Sequence, residues 1–266
     1  MLRALHTPLA MAPLQLIIAR DASHLAQTAA AWLCEKILAQ PRFVLGCATG
    51  NSPLGLYRAL TEKIHAEKIS TAALHCFHLD EYLGMAAHDP RSFAAYVRQH
   101  VATPLGLHDA QIHYWRGDAA NANAECVAYE AAIKRAGGID CQLLGLGMNG
   151  HIAFNEPGSD PAGRCHVAQL ATATLQHNAA ALAGHTAPTH ALTMGLGTIM
   201  DARTLLMLVS GAQKKLLLRE LFTGSVRTDF PASIIRHHAA TTIIADRAAV
   251  GSDVTKFQEI TICEAP

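Results

Sequence analysis

The chain carries no excess of charge: Lys plus Arg number 21, and Asp plus Glu number 21, in 266 residues. A nucleic-acid surface would show as a clustered basic excess, so the balance argues against that partner. It leaves room for an anionic small molecule, which needs only a local patch of charge. No apolar run is long enough to cross a membrane. The cysteines number seven, an odd count, and no two stand at C-x-x-C spacing. A disulfide framework or zinc ribbon is therefore not expected, and a reducing cytoplasm is the natural setting. No linker, low-complexity tract or internal repeat breaks the chain, which predicts one domain over residues 14–266. Residues 1–13 lack a signal-peptide core and read as a loose extension.

What is present is apolar: 50% of residues, against 16% charged, enough for a sizeable core. Continuous apolar runs predict strands at 14–19, 43–47, 74–79, 141–146, 204–210 and 241–245. Amphipathic stretches predict helices at 22–39, 52–65, 122–136 and 212–222. A further helix is expected after Asp89-Pro-Arg-Ser, with Asp89 as its cap. Alternation of this kind predicts an α/β fold, a doubly wound, mostly parallel sheet with helices on both faces. Strands buried on both faces are continuous apolar runs rather than alternating ones. Ligands in such sheets sit beyond the carboxyl ends of the strands, where the unusual residues of this chain fall.

The first unusual segment is Thr49-Gly-Asn-Ser52, between a strand and a helix. Bare amides, hydroxyls and a helix start suit phosphate; the competing reading is a plain turn with Ser52 as N-cap and Pro53 behind it. The second is His78-Leu-Asp-Glu-Tyr82. A carboxylate at a strand end can take a proton from an acidic C–H, and alternation lets only one of Asp80 and Glu81 face a given pocket. The alternative is a solvated turn. The third is Gly145-Leu-Gly-Met-Asn-Gly-His-Ile-Ala-Phe-Asn-Glu156. Its G-x-G-x-x-G spacing invites a dinucleotide, but no long helix start or well-placed acid follows. Gly147 and its neighbours are better read as close backbone approach to a smaller ligand. Asn149, His151 and Glu156 would surround that ligand, with His151 titrating near neutrality. A structural turn is the alternative. Lys214, at a helix start after a strand, can reach a phosphate or be a plain surface lysine. The pairs His75/His78 and His237/His238 lack the spacing and partners of a metal set.

The order of Cys47-Ala-Thr-Gly-Asn-Ser-Pro-Leu-Gly55, Leu79-Asp-Glu-Tyr-Leu-Gly84, Asp89-Pro-Arg-Ser-Phe93, the 145–158 segment, Ala191-Leu-Thr-Met-Gly195 and Pro231-Ala-Ser-Ile234 resembles the glucosamine-6-phosphate deaminase (isomerase) family. The resemblance runs from about residue 14 to 250. It implies conversion of a 2-amino-2-deoxyhexose 6-phosphate into fructose or tagatose 6-phosphate and ammonia, without cofactor or metal. By that resemblance Asp80 is the base moving the C2 proton toward C1. His151 promotes ring opening with Glu156 beside it, and residues 48–52 and Lys214 hold the phosphate. The family often forms homo-oligomers.

Four positions depart from the family pattern. Asn149 stands where many members carry Asp, which implies orientation of His151 or of a sugar hydroxyl rather than proton relay. His166 and Ala168 stand where allosterically activated members carry a basic pair. Ala180 stands near the position of a phosphate-binding Arg, with His177, Asn178 and His185 as candidate replacements. Cys165-His166 and the 174–184 stretch resemble the galactosamine-6-phosphate deaminase branch, so either epimer fits. Segments 158–163 and 179–188 are candidate flexible pieces. Two other readings compete. A 6-phosphogluconolactonase would use the histidine and phosphate loop without Asp80. A non-catalytic sugar-phosphate sensor would need neither Asp80 nor His151.

Overall fold

The apolar runs pair side by side into an eight-stranded sheet in which every pairing is parallel. The computed structural model describes residues 14–40, 42–171, 188–252, 257 and 260–265. The proposed extension at 1–13, and His177, Asn178, Ala180 and His185, lie outside the described residues. In chain order the elements are β1 (Leu14–Ala19), α1 (Ala22–Leu38), β2 (Phe43–Cys47), α2 (Leu54–Ala66), β3 (Leu74–His78), β4 (Asp80–Tyr82) and α3 (Phe93–Val97). Then come β5 (Ile112–His113), α4 (Ala122–Arg135), β6 (Cys141–Gly145), β7 (His166–Gln169), β8 (His190–Thr193), α5 (Leu196–Met200) and β9 (Leu205–Val209). The chain closes with α6 (Lys215–Thr223), β10 (Thr241–Asp246), α7 (Arg247–Val250) and β11 (Ile260–Glu264).

The large sheet runs β11-β1-β10-β9-β6-β2-β3-β5. Every residue of β2, β9 and β10 is buried, as a sheet covered on both faces requires. Right-handed crossovers put α1 and α2 on one face and α4 and α6 on the other. Helix starts are set locally: Asp21 accepts from the His24 N–H at 2.8 Å and Asn121 from the Ala124 N–H at 3.0 Å.

The strand order reverses between β2 and β6. From β2 the chain moves outward through β3 to β5, returns to the other side of β2 as β6, and continues away through β9 and β10. The loops after β2 and β6 thus leave the sheet at a switch point, where an uncovered crevice forms.

Three sequence expectations change. The run 74–79 is not one strand: β3 stops at His78, the Leu79 N–H makes a last rung to the Cys47 carbonyl at 2.9 Å, and β4 starts in a different sheet. That sheet, β4-β8-β7, is three-stranded and antiparallel. Its own small core is Tyr82, Met85, Phe154, Ala168, Leu170 and Ala191. Asp89 does not cap the helix after it. Its carboxylate is taken by the Arg91 backbone and guanidinium, and the cap is Ser92, which accepts from the Ala95 N–H at 2.9 Å. Finally, 212–222 opens with a tighter turn, Ala212–Lys214, before α6 begins.

Beside the switch point, β2 and β6 approach too closely for a side chain at Gly46. A Cβ there would lie 2.0 Å from the Gln142 side-chain oxygen. Gln142 is fully buried and its amide donates to the Leu143 carbonyl at 2.9 Å. Overpacking at such a place costs about 1–3 kcal/mol. Gly46→Ala should therefore lower stability to chemical denaturation by that amount. The double variant with Gln142→Ala should lose less than the two single losses combined, because the clash is removed. Additive losses would show that the two residues do not compete for this space.

Candidate active site

The loop after β6 turns sharply and is not followed by a helix. The Gly147 N–H donates to the His151 carbonyl at 2.9 Å and the Gly150 N–H to the Gly147 carbonyl at 3.1 Å. Residues Ile152 and Asn155 then bridge, which forces Ala153 to φ +52°. This geometry has no place for a pyrophosphate on a helix start. Gly147 is glycine for a reason different from the expected one. A Cβ there would lie 2.4 Å from the His151 ring, so the missing side chain makes room for the histidine rather than for a ligand. Gly150, at φ +84°, faces the Phe230 ring in the same way, and its carbonyl accepts from the Ala232 N–H.

Three of the expected site residues form one hydrogen-bonded chain. Glu156 Oε2 accepts from Asn149 Nδ2 at 2.7 Å, and Asn149 Oδ1 meets His151 Nδ1 at 2.7 Å. Asn149 Oδ1 also accepts from the His151 backbone N–H at 3.2 Å. The carboxylate can only accept, so the Asn149 amide must turn its NH2 group toward Glu156 and its oxygen toward the ring. His151 Nδ1 must then carry the proton, and in the neutral ring Nε2 keeps its lone pair. Glu156 Oε2 itself stands 3.7 Å from His151 Nδ1.

Asp80 enters from the opposite side of β2. Its backbone pairs with Thr193 of β8. Thr193 Oγ1 accepts from the Phe154 N–H at 3.2 Å, and the Asn155 amide donates to the Met194 carbonyl at 2.9 Å. Through β8, therefore, the Asp80 strand and the 151–156 turn are one unit. Asp80 is 6% exposed and its Oδ1 is buried without a hydrogen-bond partner. Burial, and secondly the adjacent Glu81 carboxyl, push its pKa up to about 8. The reading of this segment as a solvated turn is thereby overturned, since Glu81 is wholly buried as well.

The loop 48–52 sits at the end of β2. Thr49 is half-buried and Gly50, Asn51 and Ser52 are exposed. Gly50 takes φ +88°. The Ala48 carbonyl accepts from Tyr57 Oη at 2.7 Å and the Gly50 carbonyl from Tyr96 Oη at 2.6 Å. Among the described residues the backbone N–H groups of 49–52 find no acceptor. Ser52 makes no capping bond; α2 has Pro53 at its N-cap position. Lys214 lies across β6, half-buried, with its ammonium donating to the Leu146 carbonyl just ahead of the Gly147 turn. Burial lowers its pKa. It is not a plain surface lysine.

Two buried histidines, His78 and His238, are spent on structure. His78 is fully buried; its Nε2 accepts from the Trp115 N–H and its Nδ1 donates to the Asp80 carbonyl, each at 2.9 Å. Burial lowers its pKa to about 3, which keeps it neutral. His238 is held between the Ala202 carbonyl and the Ala240 N–H. Among the described residues no group of three metal-ligating side chains is assembled. Thr193, Phe154 and Tyr96 bind the site together but were not singled out from sequence. Thr193 lies inside the Ala191–Gly195 motif, which was the available signal; Tyr96 offered none.

Residues 20–244 match the family model for glucosamine-6-phosphate isomerases/6-phosphogluconolactonase. A glucosamine-6-phosphate deaminase of Halalkalibacterium halodurans is 39% identical over 238 residues, covering 89% of this chain and 97% of that protein. The glucosamine-6-phosphate deaminase 2 of Bacillus subtilis is 38% identical over 239 residues, covering 89% and 96%. A solved monomeric glucosamine-6-phosphate deaminase superimposes at a TM-score of 0.86 with 36% identity, covering 88% of this chain and 98% of its own. The 6-phosphogluconolactonase of Trypanosoma cruzi shares the fold at a TM-score of 0.75 and 20% identity, covering 94% and 100%.

The hydrogen-bonded chain makes a definite statement about one proton. Long-range nitrogen–proton NMR should find His151 as the Nδ1–H tautomer, and Asn149→Ala should convert it to a mixture dominated by Nε2–H. An Nε2–H ring in the wild-type protein would overturn the assigned orientation of Asn149.

Proposed function

The chain belongs to the glucosamine-6-phosphate isomerase/6-phosphogluconolactonase family, and from that premise we propose that it is an aminosugar-6-phosphate deaminase/isomerase. It would convert glucosamine 6-phosphate, or its galactosamine epimer, to the ketose 6-phosphate and ammonia. The observation that carries the proposal is Asp80, a buried carboxyl with an unpartnered oxygen, bound through Thr193 to the turn that carries His151. Lactone hydrolysis has no C–H proton to remove and gives such a group no task. A sensor would not need it either.

In this reading His151 Nε2 takes the anomeric hydroxyl proton and returns it to the ring oxygen as the C1–O5 bond breaks. The open-chain aldehyde makes the C2 proton acidic, and Asp80 removes it to give a 1,2-enolamine. O1 takes up a proton as the nitrogen gives one up, and the proton from C2 goes back to C1, leaving an imine at C2. Water adds there and ammonia leaves, so the reaction balances without a redox partner. Glu156 and Asn149 hold His151 in the tautomer this step needs. The N–H groups of 49–52 and Lys214 take the phosphate, whose fixed position turns the later steps into reactions of one held molecule. The reading includes a cytoplasmic setting, which the free thiols support. For assembly, the resemblance favours a homo-oligomer whereas the solved relative is monomeric; the mass in solution, 28.3 kDa or a multiple, separates them.

Purified protein should release ammonia from glucosamine 6-phosphate or galactosamine 6-phosphate without added metal or nucleotide. No release from either, by protein that binds both, would sink the proposal. Asp80→Asn should cut kcat by at least ~10²-fold with binding retained; near-normal turnover would remove Asp80 as the base. Lys214→Ala should raise KM about tenfold or more through loss of a charge-assisted contact. A base acts only when deprotonated, and Asp80 is pushed up to about 8. The kcat/KM profile should therefore rise with pH through that region, and a flat profile between about pH 6 and 9 would contradict it.

A further inference from the structure

Next to the proposed base lies a second buried carboxyl that the reaction does not consume. Glu81 is 0% exposed. Its Oε1 accepts from the backbone N–H groups of Tyr82 at 2.9 Å and Phe93 at 3.0 Å, and its Oε2 accepts from that of Ala94 at 2.8 Å. Phe93 and Ala94 open α3, and the next N–H, that of Ala95, is taken by Ser92. Glu81 therefore bonds its own strand with one oxygen and the helix with both. Further along α3, Tyr96 donates to the Gly50 carbonyl at 2.6 Å, inside the loop assigned to phosphate. A continuous path of short bonds thus runs from the Asp80 strand through Glu81 and α3 to the opposite end of the substrate site.

We propose that Glu81 is a positioning residue that fixes the distance between Asp80 and the phosphate loop, acting through α3 and Tyr96. This rests on the deaminase reading of Asp80. A buried carboxylate is costly, and packing alone would be served as well by an apolar side chain of the same size. What an apolar residue cannot do is accept from three N–H groups belonging to two elements. Glutamine has one oxygen in place of two and would turn its NH2 group toward a backbone donor.

The charge has a second effect on the base. The groups that face this pair are few. Asp89 lies near Glu81 and raises its pKa, and Tyr129 lies near Asp80. His78 is neutral and bonded to the Asp80 carbonyl, and Thr193 of β8 pairs with Asp80. Asp89 is itself paired with the Arg91 guanidinium. Burial pushes Glu81 up to about 7, opposed by its N–H donors. Those donors favour its anion, so negative charge settles on Glu81 first and Asp80 ionises against it.

Two variants test the proposal. Glu81→Gln should lower kcat by about 10–100-fold and move the rise of kcat/KM to lower pH, because Asp80 then loses its proton without a neighbouring charge. Tyr96→Phe leaves both carboxyls in place and should raise KM for the sugar phosphate without moving the pH profile. A folded Glu81→Gln protein with the wild-type kcat and profile would reduce Glu81 to a helix cap and overturn the proposal. An unchanged KM in Tyr96→Phe would break the link to the loop and overturn it too, even if Glu81→Gln does not fold. Carbon-13 NMR titration of the Asp80 carboxyl in wild type and Glu81→Gln reads the same shift without turnover. An inactive wild type in which that shift is seen would count against the deaminase reading alone, and an unmoved titration would count against Glu81.

Discussion

The site depends on one topological constraint, the reversal of strand order between β2 and β6. Right-handed crossovers send the chain to opposite faces on the two sides of this point. No connection therefore passes over it, and the loops after β2 and β6 leave the sheet side by side. The first supplies free amide donors and the second supplies Asn149 and His151. Asp80 comes from the strand on one flank and Lys214 from the strand on the other. Four segments far apart in sequence meet because a parallel sheet has to turn back on itself once.

The crevice alone would not hold a carboxyl in a dry place. That task falls to the small antiparallel sheet, which the chain begins by leaving β3 at His78. The departure is fixed by His78 itself: its ring is locked between the Trp115 N–H and the Asp80 carbonyl, so a neutral buried histidine sets where the strand bends. From there Asp80 is pressed against β8, and Tyr82 joins Phe93 and Phe154 in an apolar cluster. Burial of Asp80 is the larger cause of its upward shift and Glu81 the smaller. For a carboxyl that acts as a base, strength and readiness to be deprotonated pull in opposite directions. A pKa near neutrality reconciles them better than an ordinary carboxylate would.

How much of this is legible in sequence follows the same physics. β2 can be read to the residue, because a strand buried on both faces is an unbroken apolar run with sharp ends. The small sheet is not legible. β7 begins and ends with polar residues and β8 opens with an exposed His190, so neither has the length or pattern of a core strand. Asp89 and Ser92 are both plausible caps by residue type. The choice is made by Arg91, which occupies the aspartate. The 145–156 run could be read as a site because histidine, carboxylate and amide crowd into a few residues. The reason for Gly147 could not, since it is the ring of a residue that folds back over it. Glu81 was legible as half of a carboxylate pair, but its partners lie on α3 and appear only when the chain closes.

The shared fold sharpens the question of chemistry rather than answering it. A scaffold also found in a lactonase at 20% identity offers the same switch point to either reaction, and fold does not select between them. Both need a phosphate held at one end. A histidine whose Nε2 carries the ring lone pair can serve ring opening or activate water. The two reactions part at the removal of a carbon-bound proton, which only the deamination requires. A site for that step must keep a carboxyl desolvated yet ionisable, and this chain commits a second sheet, a neutral histidine and a second buried carboxyl to the surroundings of Asp80. Burying one carboxyl beside another is unfavourable for stability, and the proposed transfer of a carbon-bound proton gives that arrangement a task.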